Sequence, residues 1–276
     1  MVTLKRYVGR FGNNLFQYAA CRLLSVKNGL KLEVDWPHDG ILKVLPWNNA
    51  GEVVHDNIKN LEFYGERLND PRDRHILERY YRHSNVILDG YFQRADYFNK
   101  YRDIIKGWFE PCTIPRNEDD WVISYRVTDY WHPRVDSVID PEWHISILDN
   151  EGYFSGSNKS KVYIVTEDSG DPCVKYLQNK TGATIVSEDI KHDFNFIRSF
   201  DKIINANGSF SWWASFLGEQ SKCYFFKKWM RYHNLDLAGM IGGKAINGEF
   251  AENEDMKSMD WDGYWEKYPN KNWMKK

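Results

Sequence analysis

The chain has 276 residues, enough for one large domain or for two domains that each bury a core. Its 37 Lys and Arg nearly balance 39 Asp and Glu, for a net charge of −2, so no overall field favours nucleic acid or an anionic membrane and a small or neutral partner is expected. Four widely spaced cysteines, Cys21, Cys112, Cys173 and Cys223, form no CxxC pair, which argues against a zinc site or a disulfide scaffold and for a reducing compartment.

From the N-terminus, MVTLKRYVGRFGNN lacks the long apolar core of a signal peptide, and no stretch approaches 18 consecutive apolar residues. A soluble, cytoplasmic protein with no integral membrane segment is expected. TLKRYV predicts a strand and GRFGN a glycine turn. NLFQYAACRLLSVKNG predicts a helix whose apolar positions are Leu15, Phe16, Ala19, Ala20, Leu23 and Leu24, closed by Gly29. KLEVD then predicts a second strand, completing the strand, helix, strand signature of a parallel sheet. Residues 36–84 are polar and aromatic with scattered turns and give no clear pattern. NVILDGYF, residues 85–92, resumes as a strand, and a helix is expected from Ala95 to about Trp108.

FEPCTIPRNEDD, residues 109–120, carries two prolines and a charge cluster and reads as a linker. Beyond it, WVISYR, KVYIVT, ATIVS, KIINA and KCYFF are strand-like runs, mostly separated by helix-length segments. That alternation predicts a doubly wound α/β domain, which takes ligands at the carboxyl ends of its strands. The charged, Trp-rich tail after Gly248 is expected to pack across the surface. Aromatic residues reach 16% overall, a level that serves core packing first and stacking on sugar C–H faces second.

Four places put polar residues with chemical potential at the ends of predicted strands. At Gly9, Arg10, Phe11, Gly12, Asn13 and Asn14, two glycines let the backbone approach a ligand ahead of a helix N-terminus, although the full dinucleotide and phosphate-loop patterns are missing and a plain βα turn has the same composition. At Ser124-Tyr125-Arg126-Val127-Thr128-Asp129-Tyr130, Arg126 can hold a phosphate in bidentate fashion while Asp129 orients it or accepts a proton; a strand-end ion pair is the alternative. Thr166, Glu167 and Asp168 end KVYIVT, and Glu188 follows ATIVS. Their carboxylates suit adjacent N–H donors such as those of guanine, or serve as helix N-caps. Finally, Asn207, Gly208, Ser209, Phe210 and Ser211 lead from KIINA into a helix beginning near Trp212 and Trp213. This is an anion cradle or a serine N-cap on a buried aromatic helix.

Taken in this order, GRFGNNLFQYA, LDGYFQRADYF, YRVTDY and INANGSFSWWASFL resemble the motif series of glycosyltransferase family 11, the α-1,2-fucosyltransferase type, and more distantly the α-1,6- and protein O-fucosyltransferases. The similarity runs from about residue 7 to 229. It implies a GT-B architecture of two Rossmann-like halves with parallel sheets facing a central cleft. In this sequence the halves would be an acceptor-side domain over 1–115 and a nucleotide-sugar-binding domain over 116–250, with a surface tail over 251–276. It also implies inverting, metal-independent transfer of L-fucose from GDP-fucose to a glycan hydroxyl, without a cofactor. By position, Arg126 matches the essential arginine that contacts the donor phosphates. Ser209, Phe210 and Ser211 match the phosphate-cradling turn, Arg10 and Asn13 the glycine-turn residues, and Glu188 falls near the acid that reads guanine. Residues 36–84 would shape the acceptor pocket.

The resemblance has departures. Ser124 stands where the motif has a histidine, Val127 replaces its second arginine, Asn14 its glutamine and Gly208 a serine. A donor such as UDP-xylose or another UDP-sugar is therefore the alternative within the same fold. A catalytically silent glycan- or nucleotide-binding module is the second alternative. For the enzyme, a leaving diphosphate without a metal requires preorganised donors, which Arg126 and the helix-start N–H groups can supply. Asp129 is the first candidate for the general base, with Asp168 or Glu167 second.

Overall fold

A computed structural model describes residues 1–38, 40–44, 61–65, 85–93, 95–133, 135–155, 160–228 and 243–252. The chain divides into two compact units, Met1–Pro111 and Cys112–Lys276. Both are α/β, and both sheets are entirely parallel.

In the N-terminal unit the strands β1 (Val2–Leu4), β2 (Leu32–Glu33), β3 (Leu61–Gly65) and β4 (Asn85–Asp89) form a sheet ordered β2-β1-β4-β3. Helix α1 (Phe11–Asn28) connects the first two strands and ends at Gly29 in the left-handed region, φ 63°. Leu15, Phe16, Ala19, Ala20, Leu23 and Leu24, the apolar positions of the predicted helix, are all buried. The helix starts earlier than its apolar pattern suggests: Phe11, Gly12 and Asn13 form its first turn. Gly9, at φ +80°, reverses the chain by itself, so the remainder of the expected turn is free to be helical. The helix expected after Ala95 is broken into α2 (Ala95–Phe98), one 3-10 turn (Asn99–Tyr101) and α3 (Arg102–Lys106). Strand β3 lies in the segment whose pattern was unreadable, and the remainder of residues 45–84 falls outside the described residues.

The second unit begins with β5 (Asn117–Ser124) and continues through α4 (Pro141–Asn150), β6 (Val162–Val165), α5 (Pro172–Thr181) and β7 (Thr184–Val186). Then come α6 (Ile190–Ser199), β8 (Phe200–Asn205), α7 (Ser209–Leu217), β9 (Lys222–Phe226) and β10 (Gly243–Ile246). The last four residues of the predicted linker are thus strand, entering β5 through a register irregularity between Asn117 and Trp121. Along the sheet the order is β7-β6-β5-β8-β9-β10, the 3-2-1-4-5-6 order of a doubly wound sheet. Strands wind outward in one direction from β5 and in the other from β8.

Side chains alternate across β5. Trp121, Ile123 and Tyr125 join Trp143, Ile147 and Leu148 of α4 and Val174 and Leu177 of α5 in one core cluster. On α7, Trp212, Trp213 and Phe216 are at most 1% exposed, with Trp212 stacked on Phe216 at 4.9 Å. A buried tryptophan removes on the order of 200 Å² from water, a gross gain of about 5 kcal/mol before entropy, so these rings fix α7 against the sheet. The tail beyond residue 252, expected to lie on the surface, is outside the described residues. Among the described residues no helix is long and apolar enough to cross a membrane.

His144 of α4 is fully buried between the rings of Tyr125 and Trp143, each at 4.8 Å, and desolvation pushes its pKa down to about 3. The folded protein therefore favours the neutral ring, and stability is lost as pH falls from about 6.5 towards 3, at about 1.4 kcal/mol per pH unit for one proton. His144→Phe is expected to flatten the acid limb of stability between pH 6 and 4, as measured by urea unfolding at each pH. An unchanged slope would assign the acid sensitivity elsewhere.

Candidate functional site

Arg126 lies two residues beyond the end of β5, and Asn207 two residues beyond the end of β8, its neighbour across the point where the winding reverses. Three helices of this unit begin with an aspartate cap. Asp140 accepts from Glu142 N–H, Asp171 from Cys173 and Val174, and Asp189 from His192. Helix α7 begins differently, with Gly208 as its N-cap and no side-chain cap bond. The serines occupy the first turn of α7 and do not cap it. Ser211 is 2% exposed and donates its hydroxyl back to the carbonyls of Ala206 and Gly208, so its side chain is committed to the fold, whereas Gly208, Ser209 and Phe210 are partly exposed.

The Arg126 guanidinium is held from two sides. Nη2 donates to Asp129 Oδ1 at 2.6 Å and Nη1 to Glu167 Oε1 at 2.5 Å, while the group lies 5.0 Å above the Tyr130 ring. Burial opposes its charge, but Asp129 and Glu167 outweigh that effect and raise its pKa. Its Nε is buried and finds no acceptor among the described residues. The 3-10 turn Thr128–Trp131 makes this geometry possible. Thr128 takes φ +51°, unusual for a β-branched residue, and its hydroxyl lies 3.0 Å from Asp129 Oδ1 and 2.8 Å from Glu167 Oε2. Tyr130 then reaches across to donate its hydroxyl to Asn207 O at 3.0 Å, and Asn207 Nδ2 donates to Ser137 O at 2.9 Å.

YRVTDY and NANGSFS are thereby brought to one place. Ser124 and Thr166 are buried at the ends of adjacent strands β5 and β6. Glu167 joins the cluster, whereas Asp168 turns away to accept from Gly170 N–H at 2.8 Å. Glu188 is not brought in: it follows the edge strand β7, exposed, with its carboxylate 3.6 Å from His192 Nδ1. Phe210 packs edge-on against Phe194 of α6 at 5.3 Å. Asp129 is 2% exposed beneath the guanidinium, which suits orientation of Arg126, whereas the Glu167 side chain keeps 40% exposure.

The glycine turn belongs to the N-terminal unit and has its own network. Gln17 Oε1 accepts from Val8 N–H at 3.1 Å and its Nε2 donates to Gly90 O at 2.9 Å, tying the turn to the end of β4. Asn14 Nδ2 donates to Val8 O, and its Oδ1 meets His38 Nε2 at 2.7 Å. Asn13 lies across Gly9 and accepts from Gln93 Nε2 at 2.5 Å, so GRFGNN and GYFQ meet through their amides. Arg10 is the N-cap of α1, with no side-chain cap bond.

No family model, curated protein or solved structure matches the chain. Its residues therefore carry the functional reading themselves. Among the described residues no group of three or more His, Cys, Asp or Glu side chains is arranged to hold a metal ion. Thr128, Tyr130, Gln17 and Gln93 lie within the motifs read from the sequence, which assigns them no individual role. The available signals were the i+4 spacing of Tyr130 from Arg126 and the i+3 spacing of Gln17 from Asn14.

Tyr130→Phe keeps the ring under Arg126 but removes the hydrogen bond to the Asn207 carbonyl, and is expected to cost about 1 kcal/mol in chemical unfolding. Gly9→Ala places a Cβ 2.0 Å from Asn13 Nδ2 at a positive φ. A loss of at least about 1 kcal/mol is expected in the same assay, and a neutral result would mean the turn is not held as described.

Proposed function

We propose that the chain is a GT-B glycosyltransferase that moves a sugar from a nucleotide donor to a glycan hydroxyl, with inversion and without a metal, and that the donor is GDP-fucose. The observation that carries this reading is the convergence of Arg126 and the start of α7 at the winding reversal of the C-terminal sheet, joined by the Tyr130–Asn207 bond. That crevice is where doubly wound sheets take nucleotides. An uncapped helix start and an arginine fixed by a buried aspartate are the preorganised donors that a departing diphosphate needs. The unmet Arg126 Nε–H is a further donor suited to an anionic oxygen.

In this mechanism Asp129 orients the arginine and Arg126 binds the diphosphate, stabilising the charge that grows on it as the glycosyl bond breaks. The backbone of Gly208–Ser211 supplies further N–H groups. Glu167 is the more accessible of the two bonded carboxylates and the better placed to meet a substrate hydroxyl. Inversion follows from a single displacement on the opposite face of the sugar: the acceptor oxygen bonds the anomeric carbon as that carbon's bond to the diphosphate breaks, and the acceptor's proton passes to Glu167.

GDP, UDP and their sugars can be compared by thermal shift and by release of nucleotide diphosphate. Stabilisation by GDP with turnover of GDP-fucose supports the reading; a response to UDP alone moves the donor to a UDP-sugar, and neither response sinks it. Arg126→Ala is expected to lower turnover by at least about a hundredfold, equivalent to about 3 kcal/mol. Retained turnover in a folded variant would remove its assigned role.

A further inference from the structure

The turn that carries Arg126, residues 126–131, and the loop from β6 to α5, residues 167–171, leave neighbouring strands and are tied to each other at both ends. At one end Glu167 accepts from Arg126 Nη1 at 2.5 Å, with 40% of its side chain exposed. At the other, Trp131 Nε1 donates to Asp171 Oδ2 at 2.6 Å, and here the indole is 0% and the aspartate 2% exposed. Water competes at the first tie and is excluded from the second, so the Trp131–Asp171 bond is the firmer of the two. Asp129, which bonds the guanidinium, and Tyr130, whose ring lies against it, immediately precede Trp131 in the 3-10 turn, so the seat of the indole sets theirs.

One carboxylate performs two tasks at this point. Asp171 Oδ1 accepts from the N–H groups of Cys173 and Val174 at 2.8 and 3.4 Å and so caps α5, while Oδ2 takes the indole. Both lone pairs of Oδ1 are committed, so a proton arriving at Asp171 goes to Oδ2. There it turns a charge-assisted bond from Trp131 into a weaker neutral one and adds an O–H that none of the three donors can accept. The titratable groups around the carboxyl are Asp168 on its own loop, Cys173 on α5 and Tyr125 on β5, and α4 adds Asp140, acting on the last two, and His144, whose ring lies 4.8 Å from that of Tyr125. Burial raises the Asp171 pKa, against its three donors and with a contribution from Asp168. With the folded pKa above the unfolded one, uptake of this proton adds stability as pH falls through that window, so the bond to Trp131 weakens while the chain stays folded.

We propose that Asp171 and Trp131 are positioning residues of the Arg126 site: the buried carboxylate, through the indole, keeps Asp129 and Tyr130 against the guanidinium, and its protonation loosens the site without unfolding the chain. This rests on the diphosphate-binding reading above and adds to it how the site is held and what regulates it.

The test uses the full chain labelled with 15N-tryptophan. Its indole N–H signals are followed by NMR from neutral pH down to the onset of acid unfolding, that of Trp131 being identified by its loss in Trp131→Phe. The Trp131 signal is expected to move in a one-proton transition in the wild type and to stay fixed in Asp171→Asn. Over the same range, calorimetry with GDP and UDP is expected to show both variants binding the preferred nucleotide about tenfold more weakly than the wild type at neutral pH, the gap closing as pH falls. Comparison at each pH cancels the ionisation of the nucleotide, and melting temperatures at each pH separate the effect from the acid loss of stability set by His144. A merely structural bond would lower those melting temperatures and leave the affinity of the folded protein and its pH profile unmoved. Wild-type affinity in a folded variant, or a Trp131 signal indifferent to pH, overturns the inference and leaves nucleotide binding in place. Failure of the wild type to bind either nucleotide overturns the underlying reading and the positioning role with it. Trp131→Phe leaves the α5 cap untouched, so the matter is decided even if Asp171→Asn does not fold.

Discussion

A parallel sheet wound in two directions has one pair of neighbouring strands whose following loops part company, and the architecture of the C-terminal unit depends on that parting. Here the pair is β5 and β8. The chain leaving β5 turns towards β6, and the chain leaving β8 turns towards β9, so no crossover helix covers the gap between their carboxyl ends. Among the described residues, the candidate site of this unit is arranged around that gap. The tight turn after β5 places Arg126, Thr128, Asp129 and Tyr130, and the turn after β8 opens into α7. The aromatic bulk of Trp212, Trp213 and Phe216 holds α7 in position behind it.

Arg126 is costly to place, and the structure shows what offsets the cost. A guanidinium with only 18% side-chain exposure would be unfavourable without partners, and two carboxylates, an aromatic face and a strained threonine are committed to it. Strain of the kind Thr128 carries, of order 1–3 kcal/mol, persists where surrounding contacts over-determine a residue. Its neighbours do so here: Tyr125 is anchored to Ile139 O, Trp131 to Asp171, and Tyr130 to Asn207. The turn is held at three points, and the left-handed residue lies among them.

Much of this was legible in the sequence because it is written in local pattern. The runs KVYIVT, KIINA and KCYFF fall on β6, β8 and β9, and the polar residues noted after KVYIVT and KIINA are where a doubly wound sheet exposes its strand ends. Boundaries read less well. Asn117–Asp120 resemble a linker because their charges face outward at the start of β5, and the helix after Ala95 breaks at Asn99 despite its apolar spacing. What could not be read were pairings across the fold. Nothing local couples Tyr130 to Asn207, Glu167 to Arg126, or Gln93 to Asn13, since each bond joins residues 41 to 80 positions apart. The same limit hid the position of Glu188, whose surroundings resemble those of Glu167 until the strand order places β7 at the sheet edge.

The start of α7 bears on how such a site can change over time. Its first turn carries no side-chain cap, and the Ser211 hydroxyl is committed to the fold behind it. On the reading proposed above, the donors this turn offers belong to the main chain, which every residue except proline supplies. Side-chain identity at these positions is then loosely constrained by ligand chemistry and more tightly by helix geometry. On that reading an exchange at these positions leaves the main-chain donors in place, whereas a change at Arg126, where the donor is the side chain itself, has no such latitude.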